Sequence, residues 1–240
     1  MRRVHVEQVV AGELALSADQ AHHVRDVLRL GEGDSVEVFD DAGRVATATI
    51  ARCARDAVVL TVASPVESPR PRFQWTVASA LPKGPRADWM IEKLSELGAD
   101  RFIPLATARS VVLPEGKGKH ERWVRLATES AKQSHRAGVM RIEPLTALGE
   151  LLKELAPPAW YFSTAAAAVP IAQAIAQLPQ DCHGLLMLIG PEGGWTDEEI
   201  ATFAQAGISA VSLGATVLRV ETAAVAAGAL ASALIVPRLS

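Results

Sequence analysis

The sequence predicts an α/β protein, a parallel-sheet domain preceded by a small β-rich one, on three observations. Residues 35–62 alternate polar and apolar side chains of strand-forming type, a proline-rich stretch SPVESPRPR follows at 64–72, and short apolar runs then alternate with segments of helical length. A period of two marks half-buried strands, and apolar runs separated by helices mark strands covered on both faces.

The elements follow in order. SVEVFD at 35–40 alternates cleanly, DDAG supplies turn chemistry, and RVATATI and AVVLTVA continue in strand formers. Prolines without a backbone N–H and few apolar anchors make 64–72 a linker, which divides the chain into domains 1–68 and 73–240. Beyond it, FQWTVASAL, RFIPLA, AWYFS, GLLMLIG and ISAVSLG are strand candidates. Between the first two, ADWMIEKLSELG sets Trp89, Ile91, Leu94 and Leu97 at helical spacing, with Gly98 placed to cap the helix.

Composition narrows the function classes. With 49 % apolar and 21 % charged residues, the chain is an ordinary globular sequence rather than a disordered or fibrous one. Cys53 and Cys182 form no CxxC spacing, so neither a disulfide framework nor a zinc site is expected, and a reducing compartment fits. His22-His23 lacks a third ligand at suitable spacing, so no metal is expected. MRRVHVEQVV lacks the apolar core of a secretion signal, and AAVAAGALASALIV is too short and small-residue-rich for a membrane span; a cytoplasmic protein is expected. The net charge of −3 hides an asymmetry: residues 83–141 hold 12 Lys/Arg against 7 Asp/Glu, whereas residues 142–240 hold 3 against 9. A basic middle beside an acidic last third fits either one surface facing an anionic partner or a solvated helical face.

Two late segments carry chemistry. LIGPEGGWTDEEI, 188–200, takes a buried strand into a glycine-bearing turn and then a helix whose start, TDEE, is a capping box with Thr196 as cap and Glu199 reaching back. Ligands of open α/β sheets sit outside the carboxyl ends of strands, where glycines let main-chain amides come close. The second segment, ATVLRV at 215–220, is an apolar connector with one arginine, and such a connector is expected to be buried against protein or ligand. The Ala/Gly-rich helix after it suits close packing, within the fold or across a dimer. No G-x-G-x-x-G follows a first strand and GPEGG is no Walker loop, which disfavours a dinucleotide oxidoreductase and a phosphate cradle.

LIGPEGGWTDEEI followed by LGATVLRVETAA resembles the SPOUT-class methyltransferases, and most closely the family that methylates N3 of a uridine in small-subunit (16S) ribosomal RNA. HHVRDVLRLGEGD resembles that family's N-terminal PUA-like RNA-binding domain, LPKGPRADWMIEKLSELGADRFIPL its first βα unit, and RSVV with ESAKQSHR its two central motifs. The family commonly has Pro-Arg where Ala215-Thr216 stand and Thr where Val220 stands, and an aromatic usually follows its N-terminal arginine where RRVHVE stands here.

The resemblance implies a PUA-like β-barrel, then a SPOUT α/β domain whose C-terminal segment forms a deep trefoil knot, and a homodimer acting on 16S ribosomal RNA, within the small subunit, with S-adenosylmethionine as cofactor. One wall of the cofactor site would be Leu188, Ile189, Gly190, Pro191, Glu192, Gly193 and Gly194. A second would be Leu213, Gly214, Val217, Leu218 and Arg219, a third Phe162 and Ser163, with Thr222 and Ala223 starting the helix beneath. Arg219 is the candidate for stabilising negative charge on uridine; its alternative is an ion pair with Glu221 or Glu192. Glu192 is a candidate base or a loop-orienting carboxylate. For RNA, the candidates are Arg25, Arg29, Lys83, Arg86, Arg109, Gln133 and Arg136. Another RNA target such as transfer RNA, and a non-catalytic RNA-binding ribosome-assembly factor, remain as alternatives.

Overall fold

The computed structural model describes residues 1–55, 57–67, 72–113, 117–136, 138–155 and 158–239. The chain divides into two compact units: residues 1–70 with 131–139, and residues 71–130 with 140–240. Positions 68–71 of the expected linker and 114–116 of the basic stretch PEGKGKHER lie outside the described residues.

In the first unit, β1 (Arg2–His5), β2 (Gly12–Ala15), helix α1 (Ala18–His22), β3 (Ser35–Phe39), β4 (Arg44–Cys53), β5 (Val58–Val62) and β6 (Val66–Glu67) follow in order. The sheet runs β1-β3-β4-β5-β2, with β6 on β4. β1 pairs parallel with β3; the other pairings are antiparallel. The alternation at 35–53 predicts this: Val36, Val38, Ala46, Ala48 and Ile50 all point into one core with Val4, Val24, Val58 and Leu60. The start of the expected linker is not free chain, because Val66–Glu67 pair with Arg44–Val45.

Arg3 and Asp40 are buried charges of this unit. Arg3 pairs with Glu37, lies over the Phe39 ring at 4.2 Å, and donates to the carbonyl oxygens of Ala131 (3.4 Å) and Arg136 (2.8 Å). Burial pushes the Asp40 carboxyl up. Hydrogen bonds from the N–H groups of Val9 and Arg44 and from the Arg44 guanidinium outweigh burial and hold it below its usual range.

The second unit contains β7 (Gln74–Ser79), α2 (Arg86–Leu97), β8 (Arg101–Ala106), α3 (Lys117–Gln133, whose last residues count with the first unit), β9 (Arg141–Ile142) and β10 (Thr146–Ala147). Helix α4 (Leu148–Leu151), β11 (Ala159–Phe162), β12 (Val169–Pro170), α5 (Ile171–Gln177), β13 (Gly184–Ile189), α6 (Asp197–Gln205), β14 (Ser209–Ser212), α7 (Val220–Leu230) and α8 (Val236–Leu239) complete it. The sheet runs β10-β8-β7-β13-β11-β14-β12 with β9 on β8, and every pairing is parallel. Covered strands explain the unbroken apolar runs: Leu186 and Leu188 face a cluster with Tyr161, Trp195 and Phe203, while Met187 between them is also fully buried.

Helix α2 ends as expected, with Gly98 at φ 99°. Of its expected apolar stripe, Ile91 and Leu94 are buried, together with Ala87, Met90 and Ser95, whereas Trp89 is 44 % exposed and Leu97 half-buried. The cause is the small-residue helix α7, which packs on α2 and β7. A Cβ on Gly228 would lie 3.0 Å from Trp75 and 3.1 Å from Leu94, so close packing within the fold is one use of those small side chains.

Candidate active site

Because β13, β11 and β14 are neighbours and parallel, their carboxyl ends bring three loops together: Gly190–Trp195, the chain after Phe162, and Leu213–Arg219. Sequence reasoning placed its three cofactor walls on these loops. Leu188 and Ile189 have buried side chains, so only their main chain is available to a ligand.

The first loop is a tight turn in which Gly194 N–H donates to the Pro191 carbonyl oxygen at 2.9 Å, with Gly194 at φ 71°, where glycine is favoured. Trp195 closes it from below. Its Nε1–H donates to the Phe162 carbonyl oxygen at 3.0 Å, and its ring meets Tyr161 and Phe203 edge-on. That ring also sets the need for glycine at 190, where a Cβ would stand 2.8 Å from Trp195 Cε2. The capping box forms: Thr196 Oγ1 accepts from Glu199 N–H at 3.2 Å, and Glu199 Oε2 accepts from Thr196 N–H at 2.8 Å. Glu199 Oε1 also accepts from Ala108 N–H at 2.9 Å, binding the loop after β8 to the same helix start. Glu198 has its carboxyl held below the usual range by its own main-chain N–H and the Thr196 hydroxyl, with the Arg109 charge adding.

The third loop is different. Gly214, Ala215, Thr216, Val217 and Arg219 are exposed, Val217 to 83 %, while Leu213 and Leu218 are half-buried. Burial of the connector against the chain, expected from its apolar composition, does not occur. The apolar contacts of this segment begin at Val220, where α7 turns onto α2, β7 and β13. Among the described residues, no main-chain N–H from Gly214 to Arg219 finds an acceptor in the chain. Arg219 starts α7 through its carbonyl oxygen, which accepts from Ala223 N–H at 2.8 Å, and its guanidinium has no partner among the described residues. The expected alternatives, ion pairs with Glu221 or Glu192, are not formed among the described residues, and Glu192 is exposed. Thr222 is exposed and Ala223 half-buried. Ser163 Oγ is engaged in its own turn, accepting from Ala165 N–H.

Several residues proposed as RNA contacts have duties inside the protein. Arg25 pairs with Asp26 and donates to the Ala54 and Arg55 carbonyl oxygens, and Asp26 also takes a bond from His22. Arg86 pairs with Glu221 at 3.3 Å and donates through Nε to the Lys83 carbonyl oxygen at 3.2 Å. Arg109 donates to the carbonyl oxygens of Gly193 (2.7 Å) and Trp195 (3.3 Å), which makes it a clamp on the first loop. Arg29, at φ 56°, Lys83 and Gln133 are exposed, and the Arg136 main chain is held by Arg3. The clamping role of Arg109 was missed because it joins positions 84 residues apart, with no local signal. Among the described residues no three metal-ligating side chains cluster, and no helix is long and apolar enough to cross a membrane.

An all-parallel sheet with glycine-bearing loops gathered at its carboxyl end, joined to a separate small β-rich unit, defines a ligand-binding α/β protein with an accessory domain. Family models described as "RNA methyltransferase domain" and "RNA methyltransferase PUA domain" match residues 68–232 and 16–63. The chain is 35 % identical to ribosomal RNA small subunit methyltransferase E of Synechocystis sp. over 95 % of this chain and 76 % of that one. It is 32 % identical to the Bacillus subtilis protein of the same name over 89 % and 87 %. Among solved structures, a Legionella pneumophila protein described as a methyltransferase in complex with the cofactor SAM superposes at a TM-score of 0.85, with 27 % identity over 95 % of both chains. The chain therefore belongs to the RNA methyltransferase family of the ribosomal RNA small subunit methyltransferase E proteins.

Proposed function

We propose that this protein methylates N3 of a uridine in small-subunit (16S) ribosomal RNA, in the cytoplasm, with S-adenosylmethionine as donor. The observation that carries the reading is the pairing, at one end of the sheet, of a clamped glycine turn with a connector whose main-chain donors and single guanidinium are unspent. The donor set fits the cofactor. Unpaired N–H groups from Gly214 to Arg219 suit the acceptor edge of an adenine, and nothing lies within 4 Å of a Cβ built on Gly194 or Gly214, leaving room for a ligand against the main chain. Residues 190–194, Phe162-Ser163 and 213–218 would hold it, with Thr222 and Ala223 beneath.

When bound, the cofactor supplies an electrophilic methyl group on a sulfonium. The protein's part is positioning and charge. Uridine N3 carries a proton, and as it leaves, negative charge spreads onto O2 and O4. Arg219, exposed and unpaired at the start of α7, is placed to stabilise that charge without first breaking an internal ion pair. Glu192, exposed on the turn, is the candidate to take the proton. Arg29, Lys83, Gln133 and Arg136 are the proposed phosphate contacts, giving affinity that falls with salt. Arg25, already bonded to Asp26 and to the Ala54 and Arg55 carbonyl oxygens, would contact RNA only by giving up part of that engagement. Arg86 and Arg109, each bonded within the protein, would reach RNA only with the donors they have left. The same reading takes the C-terminal segment as a deep trefoil knot, the first unit as a PUA-like barrel and the protein as a homodimer.

The test is mass spectrometry of nucleosides from small subunits of a strain lacking the protein, before and after its addition with S-adenosylmethionine. One 3-methyluridine should be missing and then return. Return of a differently methylated nucleoside would replace the target. Absence of cofactor binding by calorimetry would leave a non-catalytic RNA-binding factor.

A further inference from the structure

We infer that Arg86 and Glu221 act as a positioning pair that sets the start of α7 for the proposed reaction, rather than Arg86 serving as an RNA contact. Glu221 is 94 % buried, being 6 % exposed, in the first turn of α7 and two residues after Arg219. One oxygen, Oε1, accepts from Arg86 Nη1 at 3.3 Å, while the other, Oε2, is buried with no hydrogen-bond partner among the described residues. A charge pair that served stability alone would be poorly designed this way, because apolar side chains of similar volume hold two helices together without a desolvated, unmatched oxygen. The unmatched oxygen is accounted for if the geometry of this pair is held for function rather than for stability.

The pair is part of a chain of contacts that reaches both loops of the candidate site. Arg86 donates through Nε to the Lys83 carbonyl oxygen at 3.2 Å, tying α2 to the exit of β7. That exit is bound to the exit of β13, because Ala80 N–H donates to the Ile189 carbonyl oxygen at 2.9 Å, one residue before the glycine turn. Glu221 carries the link into α7, whose first hydrogen bond, from Ala223 N–H to the Arg219 carbonyl oxygen, fixes where Arg219 leaves the helix. The connector before it contributes no internal hydrogen bond among the described residues, so the aim of Arg219 is set from the helix side alone. Arg86 and Glu221 touch no reacting atom; they act through Arg219.

This inference rests on the methyl-transfer reading, and the experiment separates the two. Glu221→Gln, Arg86→Gln, the double variant and Arg86→Lys are compared in single-turnover assays with unmethylated small subunits and saturating S-adenosylmethionine. Amide hydrogen exchange over residues 214–223 is followed on the same proteins. Each single Gln variant should slow transfer by about tenfold at unchanged half-saturating RNA, because misplacement rather than binding is the loss. The double variant should be no slower than either single one, Arg86→Lys should recover part of the rate, and exchange at 219–223 should rise in both single variants. A raised half-saturating RNA in Arg86→Gln alone would make Arg86 a phosphate contact and overturn the proposal. Multiplicative losses in the double variant, or a lowered Tm with normal transfer and exchange, would also overturn it. If exchange rises as stated while the unaltered protein transfers no methyl group, the pair still positions α7 and the reaction assignment falls instead.

Discussion

The turn after β13 and the connector after β14 stand at the ends of strands that flank β11, both bear glycine, and they are built in opposite ways. The turn is stitched: Arg109 holds two of its carbonyl oxygens, Trp195 anchors it to Phe162, and Glu199 binds the following helix start to the loop after β8. The connector carries none of this and leaves a valine 83 % exposed. A site made of one fixed wall and one unspent wall can orient a ligand against the first and donate to it from the second. Preorganisation of the first wall lowers the ordering cost of binding, and the unpaired guanidinium of the second is free for charge that develops during reaction.

The largest effect should come from the unspent wall. Arg219→Ala should lower turnover by about a hundredfold or more, the usual cost of removing one donor to developing charge. Because this side chain is exposed and has no partner among the described residues, Tm should not move. Near-normal turnover with unchanged cofactor affinity would remove Arg219 from the mechanism. On the stitched wall, Gly190→Ala drives a Cβ to 2.8 Å from the Trp195 ring and should cost about 1–3 kcal/mol by urea unfolding, with cofactor binding weakened in calorimetry. Arg109→Ala should be milder, since the side chain is exposed: roughly 0.5–1.5 kcal/mol of turn stability. Cofactor Kd should rise several-fold with RNA affinity constant. A loss of RNA affinity and a salt slope reduced by about one would instead make Arg109 a phosphate contact.

The smallest effect is one of pH. Glu198 has a folded-state pKa below its ordinary value, so its contribution to the stitched helix start is complete above that ordinary value and disappears as pH falls through the lowered one. Near-ultraviolet circular dichroism of the tryptophans should therefore show a small acid transition on this side that Glu198→Gln flattens. An identical titration in the variant would assign the transition elsewhere.

What was legible in the sequence was what is written locally. The strand ending at Ile189, the turn and the Thr196–Glu199 box lie within thirteen residues, and their periodicity and capping chemistry suffice to place them. The burial of α2 was read correctly at Ile91 and Leu94 and missed at Trp89, because Trp89 and Leu97 fit a helical stripe equally well until α7, far along the chain, selects the face. Arg86 and Arg109 read as candidate RNA contacts within a basic stretch, yet their acceptors are 135 and 84 residues away. The connector was expected to be buried against protein or ligand because surface loops are normally polar, but an apolar composition does not say which of the two would cover it, and the chain itself leaves it exposed.

Arg3 draws its carbonyl partners from Ala131 and Arg136, so the first unit is not finished by the first seventy residues of chain. A nascent chain that has released only those residues holds a guanidinium due for burial, with Glu37 in place and the Ala131 and Arg136 carbonyl oxygens still unmade. Completion of the N-terminal unit thus waits until about residue 139 emerges during synthesis, and severing the chain after residue 70 leaves a buried charge short of partners rather than an independent domain.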